Sequence, residues 1–416
     1  MADFQKFLFG QTVSRMGTSF TFVITPLLVF RLTGSPVNLA LSSAAFFLPY
    51  LFFGLLIGAW ADRANRKRTM ILAACGQALV VASVPAAAAA SHLSVWWIYA
   101  VTFTASTLSI FFSTSEFAAI PSLVPDKDAL VRANATVQAS YSAATIAGPL
   151  LAGTLSAFVG LPNLFLLDSG SFLVSATMLC WVRTSFNLTA GRQRQGSLRT
   201  ALGDGLRYVW SNPVLRALAL VVGLVNFVSS TINAQLVLFA KQQLDATSFR
   251  IGILYAAGGA GVVLLSLSAD PLRKHFTFSQ VTIGALTLFG FGAIAVSLTR
   301  EYWLGITLWA FMYGCTSLFN INVASIRQVI TPNELLGRVV SIAQVMAWSA
   351  IPAGSLLGGL AIDRIGACAP VFRLIGVLIV AIAGASAFSP LGRVDTRRAA
   401  APAPIPAAEF PDDGSG

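Results

Sequence analysis

Long apolar stretches, broken by short polar links, repeat almost from one end of this chain to the other. Twelve runs stand out, over residues 5–31, 36–61, 69–90, 94–120, 132–158, 162–183, 213–240, 250–270, 278–299, 302–329, 336–363 and 370–390. Each is near the ~20 residues that an α-helix needs to cross a hydrocarbon layer. The pattern therefore predicts an all-α integral membrane protein of twelve transmembrane helices, with both termini on one side. The first run is too long for a signal-peptide core and carries Arg15, so it counts as helix 1. Between runs 6 and 7, Leu198, Leu202, Leu206 and Val209 recur at helical spacing. They predict a short amphipathic helix lying on the membrane surface.

Composition fits the same class. The chain is 56% hydrophobic and only 10% charged, against about 25% charged for soluble domains. Its net charge of +11 raises the question of nucleic acid, but the distribution answers it. In this topology Arg31, Lys241, Arg250, Arg300, Arg364 and Arg373 lie near the outer face, and the other 21 of 27 Lys and Arg fall on the cytoplasmic side. That asymmetry orients a membrane protein, so no nucleic-acid partner is expected and both termini should be cytoplasmic. Cys75, Cys180, Cys315 and Cys368 are scattered without metal-like spacing. No nucleotide-binding loop and no Ser/His/Asp set can be assembled. The expectation is no enzyme, no cofactor and no metal.

An internal repeat divides the chain. At an offset of 206, Arg132, Gly148, Gly153 and Gly160 fall on Arg338, Gly354, Gly359 and Gly366. Near 208, Ala61-Asp62 falls on Ala269-Asp270. Two six-helix pseudo-repeat bundles follow, at 1–183 and 213–390, with a linker at 184–212 and a disordered cytoplasmic tail at 391–416.

Polar residues inside apolar runs mark the candidate site, because a polar group facing lipid is costly. Helix 1 carries Gln11, Arg15, Thr18 and Thr25, and helix 4 carries Ser106, Ser109, Ser113 and Glu116. Helix 7 carries Asn226, Ser229, Ser230 and Asn233, and helix 10 carries Tyr313, Ser317, Asn320 and Arg327. Each set is spaced to share one helix face. Gln11, Ser109, Ser113, Asn226, Asn233, Tyr313 and Asn320 are the substrate-binding candidates. Arg15 and Glu116 lie at similar depth and suit proton coupling, a carboxylate beside an arginine being able to exchange a proton. A fixed structural ion pair is the other reading of the two. Asp168, on a fifth stripe with Ser171 and Ser175, is a further coupling candidate.

One link carries a stronger signal. Gly58-Ala59-Trp60-Ala61-Asp62-Arg63-Ala64-Asn65-Arg66-Lys67-Arg68 resembles the signature between helices 2 and 3 of the major facilitator superfamily, departing mainly at Asn65, where that family has glycine. Ala118-Ala119-Ile120-Pro121-Ser122-Leu123-Val124-Pro125, Arg132-Ala133-Asn134 and Leu336-Gly337-Arg338 are similar to the branch that holds the enterobactin exporter and macrolide efflux proteins. The resemblance implies the major facilitator fold, with helices 1, 4, 7 and 10 around a central cavity. It also implies a cytoplasmic gate at Gly58, Asp62, Arg63, Arg66 and Arg68, with Asp270 at the matching place in the second half. Gly148-Pro149 and Gly153 resemble an antiporter motif, with Ala144 and Ala152 in place of two glycines. Gly354 and Gly358 repeat it, and both sets are hinge candidates. The expected function is a proton-coupled exporter of a small amphiphilic compound, a drug or siderophore, working as a monomer in the plasma membrane. Its partners are that substrate, protons and the lipid bilayer. An uptake carrier or facilitator of the same fold, and a receptor or scaffold that moves nothing, are the other readings.

Overall fold

The computed structural model describes residues 2–61, 64–124, 126–186 and 198–393. Asp62, Arg63 and most of the expected tail lie outside them. Fifteen α-helices run along the described residues: α1 (Ala2–Thr33), α2 (Pro36–Ala61), α3 (Arg66–Ala89), α4 (Val95–Ala119), α5 (Lys127–Leu155), α6 (Leu161–Trp181), α7 (Leu198–Ser211), α8 (Pro213–Ala234), α9 (Leu236–Gln243), α10 (Ser248–Leu267), α11 (Ala269–His275), α12 (Phe278–Leu298), α13 (Tyr302–Ile330), α14 (Asn333–Ile365) and α15 (Cys368–Phe388). Eleven of these are long and apolar enough to cross a membrane. The fifth expected run is the exception. α5 has 29 residues, but Lys127, Asp128, Arg132, Asn134 and Gln138 make its first half too polar to qualify.

Helix starts follow local chemistry. The side chains of Asn65, Ser94, Asp126, Asn212 and Thr247 each accept a hydrogen bond from a backbone N–H in the following turn. Thr277 and Gln280 form a reciprocal capping box at the head of α12. These side chains satisfy donors that the first helical turn leaves free.

Two boundaries depart from expectation. Run 7 is broken at Gln235, where φ −105° and ψ 9° separate α8 from α9. The backbone there leaves the helical region although the residues on both sides stay apolar. Residues 391–393, expected to begin the tail, are instead packed on the bundle: Leu391 is fully buried and its carbonyl accepts from Ser279. The linker helix forms as α7 and packs on α8 and α14, where Val209 joins Leu215, Ala219 and Val339.

The sequence repeat reappears as a packing repeat. In the first half α1 packs on α5 and α6, α3 on α4 and α6, and α2 on α4. In the second half α8 packs on α14 and α15, α12 on α13 and α15, and α10 on α13. Between the halves, α2 runs along α14 and α5 along α10. The matched glycines fall into this scheme. A Cβ on Gly148 would collide with Ser19 of α1, and one on Gly354 with Phe227 of α8. A Cβ on Gly153 would lie 2.9 Å from Gly252 of α10, and one on Gly359 2.7 Å from Ala40 of α2. Small residues let backbones approach where van der Waals contact is the main attraction.

Candidate functional site

Two ends of the molecule differ. The basic end carries the α2–α3 turn, the α7 helix and α11. Asp3 at the head of α1 accepts there from the backbone N–H groups of Arg183 and Thr184, each at 2.9 Å. At the far end the halves close on each other. Gln235 Nε2 donates to the Pro36 carbonyl at 2.7 Å, joining the α8–α9 break to the start of α2. A Cβ on Gly252 would sit 2.6 Å from the Pro149 carbonyl oxygen, and one on Gly259 2.9 Å from that of Thr145. Pro149 has no N–H for the Thr145 carbonyl four residues back, and the bare α10 backbone passes over that freed group. Phe22 and Tyr255 meet edge to face at 5.8 Å. Toward the basic end Arg132, Asn134, Gln138 and Tyr141 of α5 are exposed. The space between the halves therefore opens at the basic end.

At the head of that space lies the ion pair. Arg15 Nη2 donates to Glu116 Oε1 at 2.7 Å, joining α1 to α4. Side-chain exposures of 22% and 12% leave both groups partly open to water. The Arg15 guanidinium also lies over the Tyr141 ring at 5.3 Å. Tyr50 of α2 meets Trp348 of α14 edge to face at 4.5 Å, across the two halves. Ser109 lies beside the Tyr50 hydroxyl, and Phe47 packs on the other edge of Trp348 at 6.3 Å. Tyr141 thus meets the pair directly, while Tyr50 and Trp348 join the two halves beside it. Sequence reasoning missed Tyr50, Tyr141 and Trp348, because aromatic residues in an apolar run carry no polar signal.

The other candidates divide. Ser113, Asn233 and Asn320 are exposed, and the Tyr313 hydroxyl donates to Asn233 Oδ1 between α13 and α8. Gln11 is buried and donates to Ser175 of α6 at 3.4 Å. Asn226 Nδ2 donates to the Ala347 carbonyl at 2.9 Å, tying α8 to α14. Asp168 is fully buried in the wall between α1 and α6, where Thr21 donates to its carboxylate. Ser171 donates to the Asp168 carbonyl at 2.7 Å. These three residues link helices to each other, apart from the pair.

Of the gate residues, Arg66 Nη1 donates to the Phe186 carbonyl at 3.0 Å, while Arg68 is exposed. Gly58 lies in the last turn of α2. Asp270 is exposed in the first turn of α11. From the last turn of α11 Arg273 reaches Asn322 at 3.3 Å and Ser325 at 2.5 Å on α13. Each hinge candidate has a packing role: Gly358 passes Thr231 of α8 as Gly354 passes Phe227.

Membrane-length helices in two matching sets, closed at one end over a charged aromatic chamber, define a transporter of the major facilitator superfamily. The chain belongs to the family described as transmembrane secretion effector, which matches residues 2–412. It is 28% identical to macrolide efflux protein A of Streptococcus pyogenes, over 90% of this chain and 92% of that one. It is 27% identical to the multidrug efflux pump Tap of Mycolicibacterium fortuitum, over 86% and 89%. It is also 27% identical to the uncharacterized MFS-type transporter YfiS of Bacillus subtilis (strain 168), over 90% of each chain. Among solved structures, a bacterial homolog of the human lysosomal transporter Spinster, inward-facing and occupied, superposes with TM-score 0.75 at 14% identity. That match covers 96% of this chain and 98% of the other. A bacterial homologue of the iron transporter ferroportin gives TM-score 0.70 at 17% identity, over 92% and 98%.

Proposed function

We propose that this transporter is a proton-coupled exporter of a small amphiphilic drug-like or siderophore-like compound, working by alternating access in the plasma membrane. The observation that carries the reading is the Arg15–Glu116 pair at 2.7 Å in the chamber. A carboxylate held by one arginine and partly open to water can trade its proton for a guest as the chamber changes face. The efflux names of the relatives support the direction. In this reading the units that rock are residues 1–183 and 213–390, and the basic end is cytoplasmic. Asp62, Arg63 and Arg66 hold that end shut when the far end opens, and Asp270 does so in the second half. Ser109, Ser113, Asn233, Tyr313 and Asn320 supply polar contacts around the aromatic rings.

Everted membrane vesicles test the function. An acid-interior pH gradient should drive uptake of a radiolabelled macrolide, tetracycline or siderophore, and nigericin should abolish it. Flux indifferent to the gradient would mean a facilitator, and no flux across the panel would mean a receptor.

Orientation has its own test. His92, in the exposed α3–α4 link, and His275, at the end of α11, lie at opposite ends. With the native cysteines replaced, a cysteine at His92 should react with an impermeant reagent in intact cells, and one at His275 only after lysis. The reverse pattern would invert the topology.

A further inference from the structure

The feature that transport leaves unexplained is a groove of about 810 Å³ between α2 and α3 at the basic end. It is lined by Leu56 and Trp60 of α2, Arg68 and Leu72 of α3, and Leu108 and Phe111 of α4. This volume falls within the ~300–1,000 Å³ typical of small-molecule sites. The groove does not open into the chamber. α3 packs on α4 and α6, and its exposed residues Arg68, Leu72, Leu79 and Ala86 are spaced to share the face pointing away from both. Leu72 and Leu79 are 71% and 74% exposed. Apolar side chains so open, on a helix long enough to span, face lipid rather than water.

The cations beside the groove are divided by direction. Arg66 and Lys67 reach the segment after α6, where Lys67 Nζ donates to the Val182 carbonyl at 2.5 Å and Arg66 to Phe186. Arg68 goes the other way. Its guanidinium makes no hydrogen bond or ion pair with any described residue, and the exposed side chain lines an otherwise apolar trough. A long side chain in that place buries its stem and holds its charge at headgroup level.

We infer that this groove binds one anionic phospholipid of the adjoining leaflet, with its phosphate on Arg68 and an acyl chain between Leu56 and Leu72. Charge complementarity selects the anion, and the sideways opening selects a ligand already in the bilayer. The lipid would brace the α2–α3 hairpin, whose turn carries the proposed gate, so the inner leaflet would bear on how that gate moves. The assignment does not depend on which compound is exported or on proton coupling.

Native mass spectrometry of the full-length protein, titrated with dioleoyl phosphatidylglycerol or dioleoyl phosphatidylcholine, tests it. The first lipid bound should favour phosphatidylglycerol by about fivefold, the effect of one well-placed cation. Arg68→Gln should bring the two lipids level, and Arg68→Lys should keep the preference, which separates charge from folding. Leu72→Trp, at an exposed position, should fill the groove and weaken both lipids. A preference that survives Arg68→Gln, or binding untouched by Leu72→Trp, would overturn the site. Displacement of the bound phosphatidylglycerol by a macrolide would make the groove a drug entry and overturn the lipid assignment.

Discussion

Glu116→Gln should disconnect flux from the pH gradient while leaving substrate exchange intact. The variant keeps a hydrogen-bonding side chain opposite Arg15 Nη2, which now donates to Glu116 Oε1 at 2.7 Å, but it can neither take up nor release a proton. In proteoliposomes the ratio of flux with and without a gradient should fall to about one, because the two faces no longer differ in the charge they present to the guest. Counterflow of unlabelled for labelled substrate should persist. Glu116→Ala is a poorer probe. It strands Arg15 in a mostly dry site, and breaking one side of a buried pair costs about 3 kcal/mol or more. The Tyr141 ring at 5.3 Å already lies beside Arg15 with Glu116 in place, so it does not make up for the lost carboxylate. Full gradient-driven transport by Glu116→Gln would leave the pair as a structural tie between α1 and α4.

A side chain at Gly252 should jam the far end open. The nearest atoms to its Cβ would be the Pro149 carbonyl oxygen at 2.6 Å and Gly153 Cα at 2.8 Å, both backbone. Neither can swing aside, so α5 and α10 must separate. Overpacking of this kind costs about 1–3 kcal/mol. Here that cost falls only on the state in which the far end is closed, and a conformational balance should shift by about fivefold to a hundredfold. Spin labels at His92 and Arg300, exposed at the far ends of the two halves, should move apart in Gly252→Ala. Gln235→Met should do the same more weakly. It removes one hydrogen bond to Pro36, worth about 1 kcal/mol net, but also a side-chain oxygen that is buried without a partner. Unchanged label distances in both variants would show that these contacts pack the halves without gating them.

Some of this site was legible in the order of residues. Arg15 and Glu116 were recognisable because an ionisable group within an apolar run is rare enough to need a reason. Two of the three glycine matches at an offset of 206, Gly148 with Gly354 and Gly153 with Gly359, corresponded to real crossings, because a missing side chain in a membrane helix usually marks a neighbouring backbone. Gly160 and Gly366 instead stand in open space at helix ends. Other residues gave the same signal for a different reason. Gln11, Asn226 and Asp168 lay on polar stripes as good as those of Asn233 and Asn320, yet they bond to α6, α14 and α1.

Length, hydropathy and the placement of lysine and arginine determined, from sequence alone, that this chain is a helical membrane protein with a basic end. Those properties act on each helix separately, through its own exchange with water and lipid. Which stripe faces a partner helix and which faces the chamber was decided only by tertiary packing, because a polar group escapes lipid equally well in either place. The same packing laid Tyr141 against Arg15, joined Tyr50 to Trp348 across the halves and left Arg68 on the lining of its groove. Aromatic rings are at home against lipid, protein or a guest, so nothing in their spacing foretold the chamber.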